Sequence, residues 1–294
     1  MLDISKCKLC PRECGVDRRV EEKGICGEGA AARVARVGLH PYEEPCICGE
    51  KGAGTIFFCG CSLGCVYCQN RAISRESDKG EIYSAERLAD AMIELERMGA
   101  ASIDLVTPTH FAHVVKRALE IAKPRLHIPI VYNTSGYEKV ETLAELEGLV
   151  DIYMPDFKYC SPEIAEKYSA AGDYGSVAER ALAEMYRQVG ACEYEDDGIL
   201  KKGIIVRHLV LPSCRKDSVA VLERIAKTVP VKDILISLMS QYTPDFAFDS
   251  KFKELHRKIT KFEYETVVNC ARELNFDGFV QSIESAKKAY TPDF

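Results

Sequence analysis

From Thr55 onward, short apolar runs alternate with segments whose apolar residues recur every three or four positions. The runs predict strands over 55–59, 103–107, 128–132, 150–155, 203–210 and 233–239. The amphipathic segments predict helices over 84–98, 111–123, 137–147, 161–170, 174–190, 217–228 and 251–274. In the first of these, Ser84 is placed as an N-cap before an acidic first turn, and Leu88, Met92, Leu95 and Met98 follow at helical spacing. Six strands alternating with helices argue for parallel pairing and an α/β fold, either a partial (β/α)6 TIM-like barrel or an open sheet. In both, polar residues at the carboxyl ends of the strands are the functional candidates.

Residues 1–54 follow neither period and are rich in cysteine, glycine and charge. They read as a small Cys-rich metal-binding domain, with the barrel over 55–294. The chain has 14 cysteines among 294 residues, and ten of them precede residue 70. No secretory signal opens the sequence, so the cytoplasm is the expected compartment, and clustered thiols there read as metal ligands rather than disulfides. The net charge of −6 and the lack of a long basic block argue against a nucleic-acid tract, and no apolar run reaches membrane-spanning length.

Cys61, Cys65 and Cys68 form C-x3-C-x2-C directly after the first predicted strand. Three thiolates can hold three irons of a [4Fe-4S] cube and leave the fourth open, whereas four cysteines usually close such a cluster. Gly60 and Gly64 fit a tightly wrapped loop. Cys7, Cys10, Cys14 and Cys26 form C-x2-C-x3-C-x11-C, a set suited to structural zinc, the reading preferred here, or to an auxiliary [4Fe-4S] cluster. Cys46, Cys48 and Cys59 are either additional ligands or packing residues. His40, Glu43 and Glu44 either line the junction with the barrel or, for the glutamates, form a solvated acidic pair.

The strand ends supply the remaining candidates. Thr107, Thr109, His110 and His113 follow the second strand, and Asn133 to Gly136 the third. The threonines and Asn133 could equally be helix caps. Asp156 and Lys158 follow the fourth strand, spaced to face the same side as a functional pair or a plain ion pair. Arg207 and His208 alternate on the fifth, so one of them faces the cavity. Ser240, Gln241 and Tyr242 follow the sixth.

The cysteine triad, together with CKLCPRECGVDR, HPYEEPCICGEKGAGTIFFCGCSLGCVYCQN, LVTPTHF, VYNTSGYEKVETL, DIYMPDFKY, VRHLVLP and LMSQYTP, resembles the radical S-adenosylmethionine (SAM) superfamily, in its pyruvate formate-lyase-activating-enzyme-like branch. The resemblance implies an oxidoreductase in which a [4Fe-4S] cluster binds SAM at the open iron and cleaves it to methionine and a 5′-deoxyadenosyl radical. It implies that Tyr67 packs near adenine, that Asn70 supports SAM, and that Thr107, Thr109 or backbone oxygens of that stretch replace a Gly-Gly-Glu contact. Asn133 stands where the activating enzymes carry a carboxylate. Lys158 is implied to face the SAM carboxylate or the substrate, with Asp156 orienting it, and Arg207 to contact the SAM carboxylate or ribose. The implied partners are an electron donor such as flavodoxin or ferredoxin, and a protein or peptide substrate. The leading function is glycyl-radical-enzyme activation. Direct radical modification of a peptide or small molecule is one alternative, and a non-enzymatic cysteine-rich metal protein is another.

Overall fold

Each predicted strand is too apolar to face water on either side, and in the structure each lies between helices and a filled interior. The structure, a computed structural model, describes residues 2–20, 22–75, 79–247 and 250–282. In chain order its elements are β1 Ala32–His40, α1 Pro45–Cys48, β2 Ala53–Phe58, α2 Arg71–Ser74, β3 Glu81–Tyr83, α3 Ala85–Arg97, β4 Ile103–Val106, α4 Ala112–Ala122, β5 Ile130–Thr134, α5 Val140–Ala144, β6 Ile152–Pro155, α6 Pro162–Ser169, α7 Tyr174–Val189, β7 Glu193–Tyr194, β8 Leu200–Leu209, α8 Arg215–Thr228, β9 Leu235–Met239, α9 Lys261–Glu273 and β10 Asp277–Val280. They form one mixed sheet in the order β10-β9-β8-β6-β5-β4-β2-β1-β3, with β7 paired to β8 off this path. The run from β2 to β10 is parallel, whereas β1 and β3 add on antiparallel. The path ends at β3 on one side and β10 on the other, so the described sheet is an open α/β arrangement rather than a closed ring.

Alternate strand residues build two different cores. Ile130, Tyr132, Tyr153, Ile204, Val206 and Ile236 pack against the helices. Their neighbours Val131, Ile152, Met154, Ile205 and Leu235 face the other way and pack around Cys46 and Ile47 of α1. The short α1 thus fills the amino-terminal end of the hollow, and Ser102 Oγ donates to the Ile47 carbonyl at 2.8 Å.

All six predicted strands are present, with ends shifted by a few residues. Three features differ from the expectations. β1 lies before residue 54, yet it pairs with β2 from Val34↔Phe58 to His40↔Ala53, within the same sheet. The helix expected over 251–274 begins only at Lys261, because Thr260 and Glu263 close a reciprocal capping box there. The helix expected over 137–147 shortens to α5. The Ser84 cap is present, its Oγ accepting from Arg87 N at 3.2 Å, while Met98 at the far end of that helix is exposed.

Candidate functional site

The loop after β2 wraps back on itself. Gly60 and Gly64 both have φ +78°, and a Cβ on Gly60 would lie 2.7 Å from the Cys26 carbonyl oxygen. This winding brings Cys61, Cys65 and Cys68 onto the wall of one pocket. Each of the three sulfurs has a hydrogen-bonding group beside it. Leu63 N donates to Cys61 Sγ at 3.4 Å, Ser169 Oγ donates to Cys65 Sγ at 3.1 Å, and Ser74 Oγ lies 3.5 Å from Cys68 Sγ. Donors aimed at sulfur suit thiolates that ligate iron. Burial raises the Cys65 thiol, against the lowering effect of the nearby Lys158 ammonium, and pushes Cys68 to about 11.

Among the described residues, no three His, Cys, Asp or Glu side chains are grouped as donors to a metal ion. A cubane does not ask its cysteines to meet at one point, since it takes one thiolate per iron corner. The triad with its three neighbouring donors therefore fits a [4Fe-4S] group. In the N-terminal set, Cys7 and Cys10 are buried and Cys14 and Cys26 half-buried, and Cys10 and Cys26 each feel the charge of other members. Among the described residues these four are likewise not grouped as donors to a single metal ion, as a zinc held by four sulfurs requires, whereas an auxiliary [4Fe-4S] group takes one thiolate per iron as the triad's does.

Opposite the cysteine loop stand the carboxyl ends of the parallel strands. Asn70, Thr107, Asn133, Asp156, Lys158 and Arg207 all line the pocket, as does Tyr67. Asn70 Oδ1 is buried and has no hydrogen-bond partner among the described residues. Thr107 has φ +62°, a left-handed conformation that is rare for a β-branched residue and is found where a site holds its backbone. Lys158 Nζ lies 2.6 Å from Asp156 Oδ2. Burial works against both charges, but the pairing wins: Asp156 is lowered by Lys158 and Arg207, and Lys158 is raised by Asp156. Arg207 faces the pocket and His208 does not. The latter is buried, with Nδ1 2.7 Å from the Phe157 carbonyl oxygen.

Thr109 is not among the pocket residues. It is buried behind the wall, where its hydroxyl and that of Thr134 donate to Glu138 Oε1. His110 is also buried, its Nε2 2.7 Å from the Cys59 carbonyl oxygen, and burial lowers it to about 3. Cys46 and Cys48 are buried at the plug, and Cys59 Sγ packs 3.2 Å from the Lys79 carbonyl oxygen.

The solvated reading of Glu43 and Glu44 is overturned. The segment entering α1 carries both inward. Arg207 donates from Nη1 to Glu43 at 3.3 Å, from Nε to Asp156 at 3.1 Å and from Nη2 to Asn133 Oδ1 at 2.6 Å. Asn133 Nδ2 in turn donates to Asp104 at 3.2 Å. Burial raises Asp104 to about 7 and, with Asp104 beside it, raises Glu43 well above the carboxylate range. The site thus contains an ionised Asp156 bound to two cations, above carboxyls that burial keeps protonated more readily. Asp104 carried a legible signal, an acid inside the apolar run IDLV.

Arg12, inside the N-terminal cysteine motif, also reaches the site. Its guanidinium donates to the carbonyls of Ser62 (2.9 Å), Leu63 (3.0 Å) and Ser169 (2.9 Å), and to that of Ala170. It therefore ties the loop between Cys61 and Cys65 to the end of α6.

Residues 55–190 match the family model described as the radical SAM superfamily, so a domain of that superfamily spans β2 through α7. Such a domain implies use of a [4Fe-4S] cluster and SAM, and radical SAM enzyme chemistry in general. The chain is 27% identical over 283 residues to an uncharacterized protein of Methanocaldococcus jannaschii, covering 93% of this chain and 76% of that one. It is similar in fold to a radical SAM methyltransferase from Sphaerobacter thermophilus, with a TM-score of 0.50 and 13% identity over 80% of this chain and 69% of that chain. Among the described residues, no helix is long and apolar enough to cross a membrane.

Proposed function

We propose that the chain reductively cleaves SAM at a [4Fe-4S] cluster held by Cys61, Cys65 and Cys68, and uses the resulting radical to abstract hydrogen from a substrate. The observation that carries this reading is the placement of three sulfurs, each beside a hydrogen-bonding group, on the wall of the pocket that also collects the strand-end residues. Cys61, Cys65 and Cys68 would hold the cluster, which when bound would supply the one electron needed for reductive cleavage of the SAM C5′–S bond to methionine and a 5′-deoxyadenosyl radical.

The protein's own residues orient and shield. Lys158 offers an ammonium to the SAM carboxylate, and Asp156 fixes its direction. Arg207 is held on three sides and presents a rigid positive charge at the wall. Asn70 has an acceptor to offer, and the strained turn at Thr107 presents backbone groups to SAM. Tyr67 supplies an apolar ring. Leu209, Met239, Tyr242 and Phe246 add an apolar wall against water.

The substrate we assign first is a glycine of a partner enzyme, as for glycyl-radical-enzyme activation, with flavodoxin or ferredoxin as the reductant. The test is anaerobic: reconstituted protein, dithionite and SAM, with 5′-deoxyadenosine measured. Wild type is expected to form it, and Cys65→Ala, with its fold retained by circular dichroism, is expected to form none. A reduced, iron-loaded wild type that never cleaves SAM overturns the assignment. Deuterium passing from a labelled partner glycine into 5′-deoxyadenosine supports activation. Transfer only from a labelled peptide side chain or small molecule replaces that with direct modification.

A further inference from the structure

Three hydroxyls in series end on a cluster cysteine. Ser169 Oγ donates to Cys65 Sγ at 3.1 Å, Tyr159 Oη is 2.8 Å from Ser169 Oγ, and Tyr67 Oη is 2.6 Å from Tyr159 Oη. The direction of the whole chain follows from the first bond. A hydroxyl has a single hydrogen to donate. Ser169 spends its hydrogen on sulfur, so Tyr159 must donate to Ser169 and Tyr67 to Tyr159. All three residues are buried, so these hydrogens have no water to turn to. Three dipoles in line therefore point their positive ends at Cys65.

The other two sulfurs are served locally, Cys61 by the amide of Leu63 and Cys68 by Ser74 of the adjoining α2. Among the described residues, only Cys65 takes its hydrogen bond from a distant element, the end of α6, and that end is held in place. Val66 N donates to the Tyr168 carbonyl oxygen at 2.9 Å, and Arg12 holds the Ser169 and Ala170 carbonyls together with those of the cysteine loop. A loose serine would give an average donor, whereas this one is held from two sides.

We propose that Ser169, backed by Tyr159 and Tyr67, is a positioning residue that raises the cluster's reduction potential through the Cys65 sulfur, and so makes the electron easier to load before SAM is cleaved. The inference rests on the reading that Cys61, Cys65 and Cys68 hold the cluster. The reduced cluster carries one more negative charge than the oxidised form. A donor to sulfur stabilises the reduced form more, and hydrogen bonds to sulfur are among the determinants of cluster potential. Because hydrogen bonds in a chain polarise one another, the two tyrosines add to the effect in decreasing steps.

The experiment is an anaerobic redox titration of the reconstituted protein, without SAM, followed by the electron paramagnetic resonance signal of the reduced cluster. At a fixed poise, Ser169→Ala is expected to lower the reduced-to-oxidised ratio about three- to tenfold, tenfold being 59 mV for one electron. Tyr159→Phe is expected to lower it less, and Tyr67→Phe least. Ser169→Thr, which keeps the hydroxyl, is expected to restore most of the ratio. Iron and sulfide content should match wild type in every variant. If Ser169→Ala does not fold, Tyr159→Phe decides. Variants that carry a full cluster and titrate with wild type overturn this proposal alone. A wild type that assembles no cluster overturns the reading beneath it.

Discussion

Arg12→Ala removes a guanidinium that joins two parts of the site through four backbone carbonyls. A hydrogen bond to a charged group contributes about 1.5–3 kcal/mol when well enclosed. Arg12 is only half-buried, and water can replace it at the freed carbonyls. Discounting each bond to about 1 kcal/mol gives roughly 3–4 kcal/mol for the set. The stacking of Arg12 over Tyr137, with 5.2 Å from Cζ to the ring centre, adds about 0.5 kcal/mol for an exposed cation–π pair. For 294 residues, an unfolding entropy of about 2.1 cal/mol/K per residue converts the total of about 4 kcal/mol into a fall in Tm of about 6 °C. Calorimetry on the cluster-free protein measures this directly. A second readout follows iron release to a chelator from the reconstituted protein, expected to be faster in the variant because the Cys61–Cys65 loop has lost its brace. Arg12→Lys is expected to recover only a minor part of both, since an ammonium cannot fork to several carbonyls as a guanidinium does. An Arg12→Ala protein with wild-type melting and wild-type iron release would refute the argument.

Glu138 gives a pH prediction. Burial raises it from 4.5 to about 7 in the folded protein, so between those values the native state binds a proton that the unfolded chain releases. Stability therefore falls as pH rises from about 5 to 8, by about 3 kcal/mol from this group. Glu138→Gln should flatten that part of the curve in urea titrations at stepped pH, and an unchanged slope would count against it. The paired carboxyls give a contrast at neutral pH. Asp156→Asn strips the counter-charge from Lys158 and Arg207 and is expected to cost about 3 kcal/mol in chemical denaturation. Glu43→Gln, at a carboxyl already raised towards its neutral form, is expected to cost less than about 1 kcal/mol. Equal losses would show that the charge assignment is wrong.

The parallel strands were legible because a strand covered on both faces must be apolar throughout, as LVT, IPIV and VDIYM are. β1 was not, because ARVARVGLH carries two arginines and a register shift between Val34 and Arg36 that breaks simple alternation. The start of α9 was written in T-K-F-E, a capping-box spacing that the apolar period upstream obscured. The cysteine triad and the Asp156–Lys158 pair could be read from spacing alone, since their members are close in sequence. The burial of Glu43 could not. An acid beside another acid reads as solvated until its partner is known, and Arg207 lies 164 residues further on. Thr109 shows the converse: it stands next to the pocket in sequence, but its hydroxyl is taken by Glu138 behind the wall.

The plug formed by α1 has a consequence for traffic. Among the described residues, Cys46 and Ile47 fill one end of the hollow, so that end offers no way through. On the function proposed above, a substrate seated over SAM would then stand between the cofactor and the opposite end, and its product would leave before methionine and deoxyadenosine.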